Sequence, residues 1–281
     1  MERTAVFLDI DGTLCNYNGE VPPSAGDAVR AARKAGHVVV LCTGRFRAGI
    51  YPELWEFGVD GLIDGNGSYV ELNEKVLLHQ LIPEIEAHAI VDWLHERGLD
   101  FFLESNGGLF SSEHFETAGE PVVIRQYSAG KGEENAATQT VREVFPHMIF
   151  GGNLHRDDLN KVSFILNNYQ DFLDAVAAFP ALKAGTWGGK GEHALFGDLG
   201  VAGISITTAM QVLVEHAGIS AEHTVALGDA KVDIPMFEFA RVGVAMGNAG
   251  EEAQVAADFV TDDVDEHGLA HAFTRLGLIT K

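Results

Sequence analysis

The sequence predicts an α/β protein in which a parallel-sheet core is interrupted by an inserted α+β module and then completed. Three observations lead there. Short apolar runs alternate with helix-period segments at the start of the chain, strand-like pieces crowd together in the middle, and the alternation returns after Glu192. Strand, helix, strand in that rhythm means right-handed βαβ units and a parallel sheet covered on both faces. Closely spaced strands with few helices suit a mostly antiparallel sheet.

The elements follow in order. Val6 to Leu8 reads as a strand. "PPSAGDAVRAARKAG" places prolines and Ser24 before an amphipathic helix and Gly36 after it. "HVVVLCTG" is a β-branched run too short for a helix, "RFRAGIYPELWEFG" a helix broken at Pro52, and "DGLIDGNG" a further short strand. In the middle, "DFFLES", "GGLFSS", "PVVIRQY", "HMIFGG" and "KVSFIL" read as strands, while "PEIEAHAIVDWLHERG" and "QDFLDAVAAF" read as helices. "ITTAMQVLVEHAG", "HTVALGD", "IPMFEFA" and "VGVAMGN" then give helix, strand, helix and strand. The expected division is a core of 1–81 and 191–281 around an insertion of 82–190.

Composition narrows the function. A chain of 281 residues, 46% hydrophobic and 21% charged, has enough apolar surface for two cores and is an ordinary globular protein. No apolar run approaches the roughly 20 residues of a membrane span. The start runs directly into a strand, so no leader is expected. Cys15 and Cys42 are the only cysteines, which suits a reducing cytoplasm. A net charge of -22 repels nucleic acid and anionic membranes. An anionic small substrate would need a local cation, most simply a bound metal.

Ligands of open α/β sheets bind beyond the carboxyl ends of the strands. Three polar groups fall at such ends: Asp9 with Asp11, Thr43-Gly44-Arg45, and Gly228-Asp229 with Asp233. Carboxylates gathered at one edge repel one another unless a divalent cation neutralises them, and an all-oxygen donor set favours Mg²⁺. Residues i and i+2 of an extended strand end point the same way, so Asp9 and Asp11 can address one group together. One can attack phosphorus while the other moves a proton to the leaving oxygen. Gly12 allows a sharp turn whose N–H groups hold phosphoryl oxygens, and Thr43 and Gly44 offer a hydroxyl and a bare N–H.

"DIDGTL", "LCTGR" and "GDAKVDIPM", in that order, resemble the haloacid dehalogenase-like superfamily, specifically the Cof-type phosphatases. "NGSYV" and the stretch from "VGVAMGNAGEEAQ" onward look like the same subfamily. The resemblance implies a Rossmann-like core with a large inserted cap that sets specificity. It makes Asp9 the nucleophile and Asp11 the general acid/base, with Gly12, Thr43 and Gly44 around the phosphate. Mg²⁺ would be held by Asp9, the Asp11 carbonyl, Asp229 and Asp233, with Arg45 and Asn66 on the substrate side. The implied activity is hydrolysis of small phosphorylated metabolites, sugar phosphates by preference.

Two positions depart from that pattern. Where the family carries a lysine, within "G-[VI]-S-K", this chain has Ile206, and where it carries an asparagine before the last aspartate, it has Val232. Losing one preorganised donor typically lowers the rate by about 10²–10³-fold. The expectation is that Ile206 and Val232 touch as an aliphatic plug, and that Lys231, or else Lys161 or Lys190, supplies the missing charge. A phosphomutase and a sensor that binds without turnover are the alternative readings. His88, Asp92 and His95 share a helix face and read as a wet surface, and both cysteines as core thiols.

Overall fold

The computed structural model describes residues 2–280 except 48, 49, 51, 129–139, 188–190, 192 and 193. Its contacts form two compact units. The first is Met1–Arg45, Ile50–His79 and Ile204–Lys281, and the second is Phe46–Gly49 and Gln80–Gly203.

The first unit is built on β1 (Ala5–Leu8), β2 (Val38–Cys42), β3 (Gly61–Asp64), β4 (Tyr69–Leu72) and β5 (Lys75–His79). Strands β12 (Thr224–Gly228), β13 (Val242–Ala245) and β14 (Phe259–Val260) complete its sheet. The order is β14-β13-β12-β1-β2-β3-β4-β5, parallel from β14 to β3, with β4 and β5 antiparallel. β1, β2 and β12 are buried along their whole length, as strands covered on both faces must be. One cover is the helix Pro23–Lys34, which opens on proline and buries Ala25, Ala28, Val29 and Ala32 beside Phe273. The other is the helix Ile206–Ala217, capped by Ser205 and closed by left-handed Gly218, with Met210, Leu213 and Val214 inward.

The second unit is a sheet ordered β10-β11-β9-β6-β7-β8. Its strands are β6 (Phe101–Ser105), β7 (Gly108–Ser111), β8 (Met148–Phe150), β9 (Leu159–Ile165), β10 (Leu182–Trp187) and β11 (Phe196–Val201). All pairs but β7–β8 are antiparallel. Leu103, Val162, Phe164 and Leu199 pack one face against Ile90, Val91 and Leu94 of the helix Glu84–Glu96.

Two expectations change. "PVVIRQY" is not a strand but lies inside the helix Phe115–Ser128. Phe115, Gly119 and Val123 recur every four residues, and Phe115 and Val123 are fully buried, so the helical period prevails over the β-branched run. The return to the core also comes later than residue 191. β11 pairs with both β9 and β10, which keeps residues to Gly203 in the second unit. Lys190 and the expected crossing at Lys190–Glu192 lie outside the described residues, apart from Gly191.

Candidate active site

Parallel register builds the site. Leu8 lies opposite Leu227 on one side and Leu41 on the other, so all three strands end at one level. Asp9 leaves β1 there, its N–H donating to the Leu227 carbonyl at 3.0 Å. Asp229 follows β12, and Thr43 follows β2. β1 is the strand at which the order turns outward both ways, the place where open α/β sheets leave a crevice.

Asp9, Asp229 and Asp233 each bring a carboxylate oxygen within 4.8 Å of the others. Asp233 folds back onto the strand end, its Oδ2 accepting from the N–H groups of Asp229 (3.0 Å) and Ala230 (2.9 Å). A side chain at Gly228 would collide with it, at 2.5 Å from the Asp233 carboxyl. Asp229 is buried, and its Oδ1 has no hydrogen-bond partner among the described residues. Burial raises Asp9 well above the ordinary carboxylate range, and the charge of Asp233 adds to it. Burial likewise pushes Asp233 up to about 6 and raises Asp229. Three desolvated carboxylates and an orphaned buried oxygen are the electrostatic signature of a cation site, and the all-oxygen donor set fits a hard divalent ion.

Asp11 points elsewhere. Its Oδ2 accepts from Arg45 Nε and its Oδ1 from Arg45 Nη2, both at 2.7 Å, a two-point guanidinium grip. Gly12 turns the chain at φ 89°, a conformation that favours glycine. Thr43 is buried, its Oγ1 accepting from the Arg45 N–H at 3.1 Å and keeping its own proton to donate. Asn66, left-handed at φ 57°, donates its N–H to the Thr43 carbonyl at 3.2 Å. The Asn66 amide also borders Gly44, 3.2 Å from where a Cβ there would lie.

Other expected residues have partners or surroundings of their own. Lys231 is 75% exposed in its side chain and pairs with Glu252 at 2.6 Å. Lys161 belongs to the second unit, on Glu104 at 2.9 Å. The aliphatic plug is corrected: Ile206 packs on the core, but Val232 is 71% exposed, so its side chain closes nothing. Asp92 pairs with His155 and His95 with Glu113, each on the surface. Cys15 and Cys42 are buried, and burial raises both thiols, Cys15 to about 12, so they are inert.

Two residues at the site carry no motif role in the reading above. Asn248 donates to the Gly12 carbonyl at 2.8 Å, and Tyr17 donates its hydroxyl to Asp229 Oδ2. Asn248 follows a parallel strand end, so the rule that found the aspartates would have found it too. Tyr17 had no such signal.

A family model of haloacid dehalogenase-like hydrolases matches residues 6–273. The chain belongs to that family, and within it is a phosphoric monoester hydrolase. It is 30% identical to the putative phosphatase YkrA of Bacillus subtilis (strain 168), over 99% of this chain and 100% of that one. It is 26% identical to the pyridoxal phosphate phosphatase YbhA of Escherichia coli (strain K12), over 94% of each. A solved phosphatase of the same superfamily from Bacteroides thetaiotaomicron superposes with a TM-score of 0.72 at 28% identity, covering 99% of this chain and 96% of that one. Among the described residues no helix is long and apolar enough to cross a membrane.

Proposed function

We propose that this chain is a Mg²⁺-dependent phosphatase of small phosphorylated metabolites, sugar phosphates by preference, working through a phospho-Asp9 intermediate. The observation that carries it is the division of labour among four aspartates at one sheet edge. Asp9, Asp229 and Asp233 converge, while Asp11 is held apart on Arg45. A bound Mg²⁺, held by Asp9, Asp229, Asp233 and the Asp11 carbonyl, would neutralise these carboxylates and draw charge from the phosphoryl oxygens.

The chain's own residues do the rest. An Asp9 oxygen attacks phosphorus as the bond to the leaving oxygen breaks, and Asp11 gives that oxygen its proton. Water then attacks the aspartyl-phosphate and loses a proton to Asp11, releasing inorganic phosphate and the Asp9 carboxylate. With both oxygens accepting from Arg45, Asp11 is arranged to take a proton. To give one it must be freed, and an incoming phosphate dianion is a competing partner for the guanidinium. Arg45 then supplies at the phosphate the positive charge that the family places on the lysine at position 206. Thr43, Gly44 and the Gly12 turn bind the remaining phosphoryl oxygens. The preference for sugars rests on the resemblance; a relative that acts on pyridoxal phosphate supports the wider class.

Acid-quenched single turnover over a panel of radiolabelled sugar phosphates and pyridoxal phosphate, with Mg²⁺, tests this. Label should appear on the wild type and be absent from Asp9→Asn, whose turnover should fall on the order of 10⁴-fold or more. Near-normal turnover in that variant would remove Asp9 as nucleophile. Ile206 and Val232 favour a second reading, a sensor of phosphometabolites, and saturable binding without label would establish it.

A further inference from the structure

Tyr17 is an exposed tyrosine turned the wrong way. The residue is 59% accessible, yet the hydroxyl, the end that water usually takes, points inward and donates to Asp229 Oδ2.

The loop that carries it is built to hold it there. Asn16 Oδ1 accepts from the N–H groups of Asn18 (3.0 Å) and Glu20 (3.1 Å), and its Nδ2 donates to Asp265 at 3.0 Å. The backbone closes the same turn, Asn16 N–H to the Glu20 carbonyl and Gly19 N–H to the Asn16 carbonyl, both at 2.9 Å. Asn248 fixes the other side. Its Oδ1 accepts from the Val264 N–H at 3.0 Å, which commits its amide nitrogen to the Gly12 carbonyl and the Tyr17 oxygen. The approach needs Gly12, because a Cβ there would lie 2.3 Å from Asp229 Oδ2 and 2.8 Å from the Tyr17 oxygen.

Asp229 is thereby left with two unlike oxygens. Oδ2 is taken by the phenol, and Oδ1 is buried and without a partner among the described residues. From this geometry we infer that Tyr17 is a positioning residue of the cation site, fixing the Asp229 carboxylate so that Oδ1 remains for the ion. The inference rests on the metal site of the proposed function. Partners that orient a metal ligand in this way typically change metal affinity by about 10–100-fold when removed. The bland alternative is a ring that packs over the loop and whose hydroxyl is incidental.

Calorimetric Mg²⁺ titration of wild type, Tyr17→Phe and Asp229→Asn separates these, with the chelator-treated melting temperature of each as the control for folding. Tyr17→Phe should bind Mg²⁺ about 10–100-fold more weakly with its metal-free melting temperature unchanged. Tb³⁺ luminescence excited through tyrosine should fall in the same variant at saturating Tb³⁺, because the donor beside the ion has gone. Mg²⁺ affinity within about twofold of wild type in Tyr17→Phe would overturn the inference and leave the metal site standing. If wild type binds neither ion, or Asp229→Asn binds both as well as wild type, the metal site itself fails and the inference with it.

Discussion

The two units place their charges in opposite ways. β1, β2 and β13 of the first unit are apolar from end to end, and its clustered acids lie beyond the strand ends. Asp9, Asp229 and Asp233 gather there. In the second unit the charges stand in mid-strand. Glu104 faces Lys161 across β6 and β9, Ser163 faces Asp198 across β9 and β11, and all four share one face of the sheet. The opposite face is the Leu103–Val162–Phe164 core. There the acids have a cation: Lys161 reaches Glu104 at 2.9 Å, and Ser163 donates to the same oxygen at 2.9 Å. Burial disfavours the Lys161 charge, but the carboxylates of Glu104 and Asp198 outweigh it. One cluster is balanced by the chain itself, whereas the other could hold a cation. Removing one member of a fixed pair strands its partner's charge, whereas crowded carboxylates favour a bound cation.

Breaking the balanced cluster should have the largest effect on stability. Lys161→Met leaves Glu104 and Asp198 desolvated without their cation, which should cost about 1–3 kcal/mol in urea unfolding. No loss would mean that the pair is screened by solvent and that the contrast between the units is false.

The unbalanced cluster should show itself in pH dependence. In metal-free protein, Asp9, Asp229 and Asp233 hold protons above the ordinary carboxylate range, so the folded state binds more protons than the unfolded chain. Stability from these groups is then greatest below the unfolded value of 3.8 and is lost as pH rises through the folded value of Asp233, about 6. The loss from Asp233 is at most about 3 kcal/mol. Chemical denaturation in chelator at pH 4.5 and pH 7.5 should show the decline, Asp233→Asn should flatten it, and Mg²⁺ should restore the upper end. Stability that instead rises over this interval would mean the carboxylates are not crowded.

The smallest effect belongs to Lys231. Its pairing with Glu252 is exposed on both sides, and such pairs contribute about 0–1 kcal/mol. Lys231→Met should leave turnover and melting temperature close to wild type. A large fall in turnover would return Lys231 to the site and remove the need for Arg45 there.

The sequence by itself carried what is local. Asp9 and Asp11 follow a strand in a period of two, Thr43 and Gly44 end another, and Asp229 and Asp233 open a turn after a third. Each of these is written in a few consecutive residues, because strand ends and turns are set by near neighbours. The βα rhythm that places them on one sheet edge is local in the same sense. Tertiary structure decided the partners. Asp11 turned to Arg45, Val232 faced solvent instead of Ile206, and β11 joined the inserted sheet although it follows the point where the βα rhythm resumes. "PVVIRQY" went into a helix, in which Val123 is fully buried at the spacing set by Phe115 and Gly119. The Tyr17–Asp229 contact spans 212 positions of chain, and nothing in the residues around Tyr17 announces it. A side chain's type fixes what it can bond to, but which group it meets depends on strands that come together only when the chain folds.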